Sequence, residues 1–131
     1  MVEYIQKHHV LSMATVGDET PVSCSLFYLF VPEEACFIFA SDRGTEHMKN
    51  ILQNPHVSAG IHDETKEIEQ IKGIQIKGRV AHAEQRHESL YLKAYPYAKN
   101  IDEKSIWTLS VTGLKFTDNT QGFAGKEIWR Y

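Results

Sequence analysis

At 131 residues, 42% of them hydrophobic, the chain holds material for one globular domain spanning residues 1–131, with one core and no room for a second. A net charge of −3, with lysines and arginines scattered singly, leaves no basic stripe for nucleic acid and no polybasic patch for a membrane. No apolar stretch approaches the roughly 20 residues of a membrane span, and the first eight residues lack a signal peptide's apolar centre, so a cytoplasmic protein with Cys24 and Cys36 reduced is expected.

In chain order, a short helical lead-in over 2–8 precedes a strand over 10–16, and Gly17-Asp18-Glu19-Thr20-Pro21 supplies turn chemistry. A second strand over 22–30 pairs back, and after Val31-Pro32-Glu33-Glu34-Ala35 a third over 36–40 completes a meander. From Thr45 the spacing turns helical, with His47, Met48, Ile51 and Leu52 on one side. The helix stops at Asn54-Pro55, because the residue before a proline avoids helical angles. Residues 57–62 and 71–80 read as two more strands joined by an acidic, exposed loop over 63–70. Residues 85–95 return to helical spacing through Leu90, Tyr91 and Ala94 until Pro96 interrupts it. A strand over 105–116, marked by Trp107, Leu109, Val111 and Leu114, and a last short strand to Tyr131 follow. Short strands joined antiparallel, with helices inserted among them, predict a mainly β chain of the α+β class, a small barrel of six or seven strands. Closure would also remove exposed edges.

The segment richest in chemistry is Phe37-Ile38-Phe39-Ala40-Ser41-Asp42-Arg43-Gly44-Thr45-Glu46-His47, a strand that ends in hydroxyls, a glycine turn and a helix start. Free N–H groups at the helix start, its dipole, the Ser41 and Thr45 hydroxyls and Arg43 or His47 together suit a phosphate. Ordinary capping by Thr45 accounts for the same residues without a ligand, and helix starts far outnumber phosphate sites. No GxxxxGK[ST] loop is present.

The run from Cys36 to Val57, with His47-Met48-Lys49-Asn50-Ile51-Leu52-Gln53-Asn54-Pro55-His56-Val57, resembles the strand, loop and helix of FMN-binding split barrels related to pyridoxamine phosphate oxidase. His9-Val10-Leu11-Ser12-Met13-Ala14-Thr15 is similar to their first strand, and Ile74-Gln75-Ile76-Lys77-Gly78-Arg79-Val80 to the strand ending in glycine. A bacterial subfamily with His-Val-Leu-Ser near its start, a Gly-x-Gln-x-x-Gly strand and an ending like 115–123 followed by a tryptophan, here Trp129, is the nearest in pattern. The resemblance implies a split β-barrel that binds FMN in a groove between two subunits, hence a homodimer. It gives Ser41 and Thr45 to the phosphate, and sets His47 where the family has a lysine. Ala40 closes the strand, and residues 24–27, Ser25 and Leu26 foremost, offer backbone groups to the ring. Gln75 borders the same groove. Thr117, Asn119, Lys126 and Trp129 approach from the C-terminal strands, of the same chain or of the partner.

Two departures qualify the family's chemistry. Glu46-His47 replaces an Arg-Lys pair, leaving Arg43 and a protonated His47 to supply positive charge, with binding that depends on pH near histidine's value of about 6.5. The sequence ends at Trp129-Arg130-Tyr131 without the Arg-x-His segment that grips the oxidase's substrate, so a standard pyridoxamine phosphate oxidase is not expected.

The seven histidines show no HExxH and no CxxC partner, and no metal site is expected. Some split-barrel relatives bind haem, for which His8, His9 or His82 are the candidate ligands. Ser12, Ser41 and Cys24 lack a nucleophile elbow or a recognisable base. The expectation is therefore an FMN-dependent oxidoreductase acting on a small molecule that the sequence does not name. The alternatives are a non-catalytic flavin-storing or flavin-sensing module and a haem-binding split barrel.

Overall fold

A computed structural model describes residues 1–18, 20–102, 105–122 and 126–130, and for Lys126, Trp129 and Arg130 the backbone alone. Among the described residues there are three α-helices, α1 (Val2–Lys7), α2 (Glu46–Gln53) and α3 (Gln85–Ala94), and seven strands. The strands are β1 (Val10–Thr15), β2 (Val22–Val31), β3 (Cys36–Ala40), β4 (His56–His62), β5 (Lys72–His82), β6 (Ile106–Asp118) and β7 (Lys126–Arg130).

All pairings are antiparallel, and the order β3-β2-β1-β4-β5-β6-β7 is closed by β3 pairing with β6. Six strands thus form a barrel, with β7 added beyond β6. Alternation decides the inside: Leu11, Met13 and Thr15 of β1, Val57, Ala59 and Ile61 of β4, and Ile74, Ile76 and Val80 of β5 all point inward, with polar or small residues between them. β3 loses the alternation because both of its faces are covered. Phe37 and Phe39 enter the barrel core, while Cys36 and Ile38 pack outward with Tyr91, Ala98 and Ile106 beneath α3.

Two features make the barrel a split one. β3 pairs with β2 only over Tyr28–Val31, so β2 has no β3 partner along residues 22–27. β6 changes partner, using residues 106–110 against β3 and 113–117 against β7, and between those stretches its register to β5 shifts at Lys77/Gly78. Gly78 permits the approach, since a Cβ there would lie 2.4 Å from the Ser110 carbonyl oxygen and 2.6 Å from Leu109 Cδ1.

The helices close the barrel's ends and one side. Tyr4 and Ile5 of α1 are buried, and the helix is tied to the β4–β5 connection, where Asp63 Oδ1 accepts from Tyr4 Oη at 3.1 Å and lies 2.7 Å from His8 Nε2. α2 buries Met48 and Ile51. α3 starts on a capping box of Glu84 and His87, and Arg86 and His87 also reach Glu34, holding that carboxyl down at about 2.

Candidate functional site

The site residues follow from what happens where β3 ends. Past Ala40 the chain turns beside the unpaired part of β2 before entering α2. The Ser41 N–H donates to the Ser105 carbonyl at 2.8 Å, and the Ser41 carbonyl accepts from Trp107 Nε1 at 2.9 Å. Trp107 is itself almost fully buried, so the Ser41 backbone is pinned to the barrel wall. Asp42 turns its carboxylate back to the Gly44 N–H at 2.7 Å, an Asx turn that sets up Thr45 as N-cap. The Thr45 hydroxyl then donates to the Asp42 carbonyl at 2.8 Å and accepts from the Met48 N–H at 3.3 Å.

α2 is fixed by more than its apolar side. Asn50 Nδ2 donates to the buried Thr15 hydroxyl at 3.1 Å, joining the helix to the end of β1. With α2 so placed, His47 turns Nε2 to the Ser41 hydroxyl at 2.6 Å and lies 3.2 Å from the Thr45 hydroxyl. Burial holds its imidazole below the usual histidine value. The Glu46 and His47 amides occupy the first turn, where an α-helix provides no acceptor of its own. Arg43 stands exposed on the turn, with no ion pair among the described residues. Two hydroxyls, one imidazole, an exposed guanidinium and a helix start in one small volume fit a phosphate group.

The neighbouring edge of β2 offers backbone groups. The Tyr28 N–H donates to the His9 carbonyl, on the β1 side. By alternation Leu26 and Cys24 also turn their backbone groups to β1, whereas Ser25 and Phe27 turn theirs to the edge that β3 leaves open. Leu26 sends its side chain into the core, so Ser25 and Phe27 are the residues of 24–27 placed to meet a ligand there.

Ser25, Ala40, Ser41, Arg43, Thr45 and His47 therefore come together at one end of the split. Gln75, Asn119 and Trp129 do not join them within the chain. Gln75 is exposed on the outer face, opposite Gly60 and Lys115. Asn119 follows β6, a dozen residues or roughly 40 Å of extended chain beyond Trp107, where its side chain donates to the Ile68 carbonyl at 3.0 Å. The backbone of Trp129 pairs with Leu114, and its side chain lies outside the described residues. Trp107 and Asn50 are missed by sequence reasoning, because their partners, Ser41 and Thr15, stand 66 and 35 residues away. Only the tryptophan's place at an inward strand position hinted at a structural use.

The haem candidates differ in availability. Both ring nitrogens of His8 face oxygens, those of the Tyr4 carbonyl and Asp63. His9 and His82 are exposed, His82 stacked on Trp107 with ring centroids 4.3 Å apart. No group of three His, Cys, Asp or Glu side chains able to hold a metal occurs among the described residues. No helix of the described residues is long and apolar enough to cross a membrane.

The sequence model of the family described as Pyridoxamine 5'-phosphate oxidase matches residues 1–118. The chain belongs to that family. This pyridoxamine 5'-phosphate oxidase family chain is similar to a UPF0306 protein of Photorhabdus laumondii, 32% identical over 131 residues that cover 97% of this chain and 91% of the relative. In fold it is similar to a heme binding protein from Mycobacterium smegmatis, with a TM-score of 0.74 at 18% identity, covering 93% of this chain and 52% of that one. It is also similar to an FAD-binding protein from Mesorhizobium loti, with a TM-score of 0.67 at 14% identity, covering 86% of this chain and 88% of that one. The split barrel of the pyridoxamine 5'-phosphate oxidase family is thus the fold of this chain, and proteins that share it include binders of haem and of flavin.

Proposed function

We propose that the chain binds FMN, its phosphate at the turn from Ser41 to His47, and acts as a flavin-dependent oxidoreductase on a small organic molecule. The observation that carries this reading is the meeting of the Ser41 and Thr45 hydroxyls on His47 Nε2 at the start of α2, beside the open edge of β2. A bound flavin supplies hydride and electron transfer. The chain's part is to hold the phosphate through two hydroxyls, an imidazole and Arg43, and to offer the Ser25 and Phe27 backbone groups to the ring's polar edge.

The outer face of the barrel supports a homodimer. Ser25, Ser12, Gly60, Gln75 and Lys115 form one row across five strands, and Ser23, Ala14, Ser58 and Lys77 a second. On β1, β2 and β4 these residues are Ser, Ala or Gly, so the backbone there is open to close approach by a second copy about a two-fold axis, with Gln75, Lys77 and Lys115 at the border. Gln75, Asn119 and Trp129, remote from Ser41 along their own chain, then have the other copy's site to serve.

The second reading, haem, is favoured by the fold shared with the mycobacterial heme binding protein and by the exposed rings of His9 and His82. A visible spectrum after incubation with FMN, and separately with haem, separates the two. The flavin reading expects two flavin bands retained through gel filtration. It also expects the double variant Thr45→Ala, His47→Ala to weaken FMN roughly 10- to 100-fold, as loss of a charge-assisted hydrogen bond implies. A Soret band with haem and no retention of FMN overturns it. Anaerobic bleaching of the bound flavin by NADH or NADPH then tests catalysis against a storage or sensing role.

A further inference from the structure

We infer that the groove crossing β1, β4, β5 and β6 on the outer face of the barrel is a second anion site, suited to a phosphate monoester with a short apolar body and distinct from the turn at Ser41 to His47. Its volume is about 600 Å³, within the range of small-molecule sites. Two outward rows frame it. Ala14, Ser58 and Lys77 form the first, and Val16 and His56 begin the second, with Arg79 directly opposite His56 at the rim. The second row lies past the two rows proposed to meet another copy.

The strands also shape the floor. Gly78 pairs with Val111 and Lys77 with Gly113, which leaves Thr112 as an extra residue of β6 without a partner on β5. Bulges of this kind re-aim a side chain. Thr112 is exposed and lines the groove with Ser58, so two hydroxyls are available there.

Charge selects the occupant. Lys77, Arg79 and His56 are exposed, and among the described residues none of their side chains has a hydrogen bond or an ion pair. No carboxylate lines the groove. On a chain of net charge −3, two fixed positive charges stand here two residues apart on one face, joined by a third when His56 is protonated. Like charges directly opposed across strands are unfavourable, so the cluster strains the sheet until an anion joins it. A phosphate monoester carries three terminal oxygens and a charge of about −1.5 to −2, enough for two cations and two hydroxyls together. A carboxylate offers two oxygens and a single charge. The remaining wall, Ala14, Val16 and Pro21, is apolar and adds contact for a short hydrocarbon body. None of this depends on FMN at Ser41.

Butyl phosphate is the probe, titrated into the full chain and followed by amide chemical shifts. Saturable shifts are expected at Val16, Ser58, Lys77 and Thr112, unchanged in the Thr45→Ala, His47→Ala variant. Hexanoate, with one charge, and inorganic phosphate, without the body, should each bind at least about tenfold more weakly. Lys77→Gln and Arg79→Gln should each weaken butyl phosphate about tenfold, the size of a charge-assisted hydrogen bond, and Thr112→Val about fivefold. These side chains are exposed, so urea midpoints should stay at the wild-type value, and Arg79→Lys should keep most of the affinity. Absence of saturable shifts at these residues, equal binding of hexanoate or of inorganic phosphate, or full affinity in the Lys77→Gln, Arg79→Gln double variant overturns the inference. FMN retention should be intact in that double variant, and its loss would make the groove part of the flavin site and overturn the inference too. The flavin reading fails instead if FMN is not retained by the wild-type chain, whatever butyl phosphate does.

Discussion

His47 concentrates the local chemistry of the site, and its burial sets the sign of a pH effect. In the free protein the imidazole titrates below its usual value because desolvation disfavours the charged form. A phosphate against Nε2 favours imidazolium and raises that value, so binding takes up a proton in the interval between the two. FMN affinity should be highest below the free-state value and fall as pH rises through the bound-state value. Replacing His47 by lysine, charged throughout, should tighten FMN at about pH 8 by roughly tenfold and flatten the profile. Fluorescence titrations of FMN between about pH 5.5 and 8.5 check it, and parallel profiles for the two proteins would refute it. At this scale the hydroxyls and His47 were legible because they stand within seven residues of one another. The Trp107 bond to Ser41 was not, since nothing local in a strand tryptophan tells which carbonyl its N–H will meet.

Among the elements, β6 is the one whose geometry constrains the fold most, because it serves β3 and β7 in turn and shifts register against β5 between them. Gly78 is where that shift demands space. Gly78→Ala forces a methyl against the Ser110 carbonyl and Leu109, and should lower stability by about 1–3 kcal/mol, the range for overpacking. Gly60→Ala is the matched control, since its added Cβ would come no closer than 3.7 Å to the Ile74 carbonyl oxygen. Urea unfolding of both variants tests the contrast, and equal losses would show that the close approach at Gly78 relaxes freely. Strand identities were readable wherever one face is buried and the other wet, as in β1, β4 and β5. β3 shows a plain apolar run instead, because α3 covers its outer face, a fact absent from its own residues. The helix over 46–53 was readable from both ends, through Thr45 as cap and Asn54-Pro55 as stop.

For the whole molecule, the proposed second copy has the largest consequence. An arginine placed at Ser58, in the middle of the small-residue face, should shift the protein from dimer to monomer in sedimentation velocity while leaving its far-ultraviolet circular dichroism unchanged. Loss of FMN retention in the same variant would tie the site to the interface. An unaltered sedimentation coefficient in Ser58→Arg, or a wild-type monomer at all concentrations, would remove that face as the contact.

By itself, the sequence determined the strand and helix segments, the antiparallel mainly β class and the stretch from Ser41 to His47. Each of these is written in short-range periodicity, turn chemistry or capping, which act over a few residues. The tertiary structure alone decided that β3 closes onto β6, that β2 keeps an open edge along 22–27, and that Ser25 and Phe27 rather than Leu26 face it. It also separated Gln75, Asn119 and Trp129 from the residues around Ser41. Register, closure and burial arise from the packing of segments distant in the chain, so no local pattern encodes them.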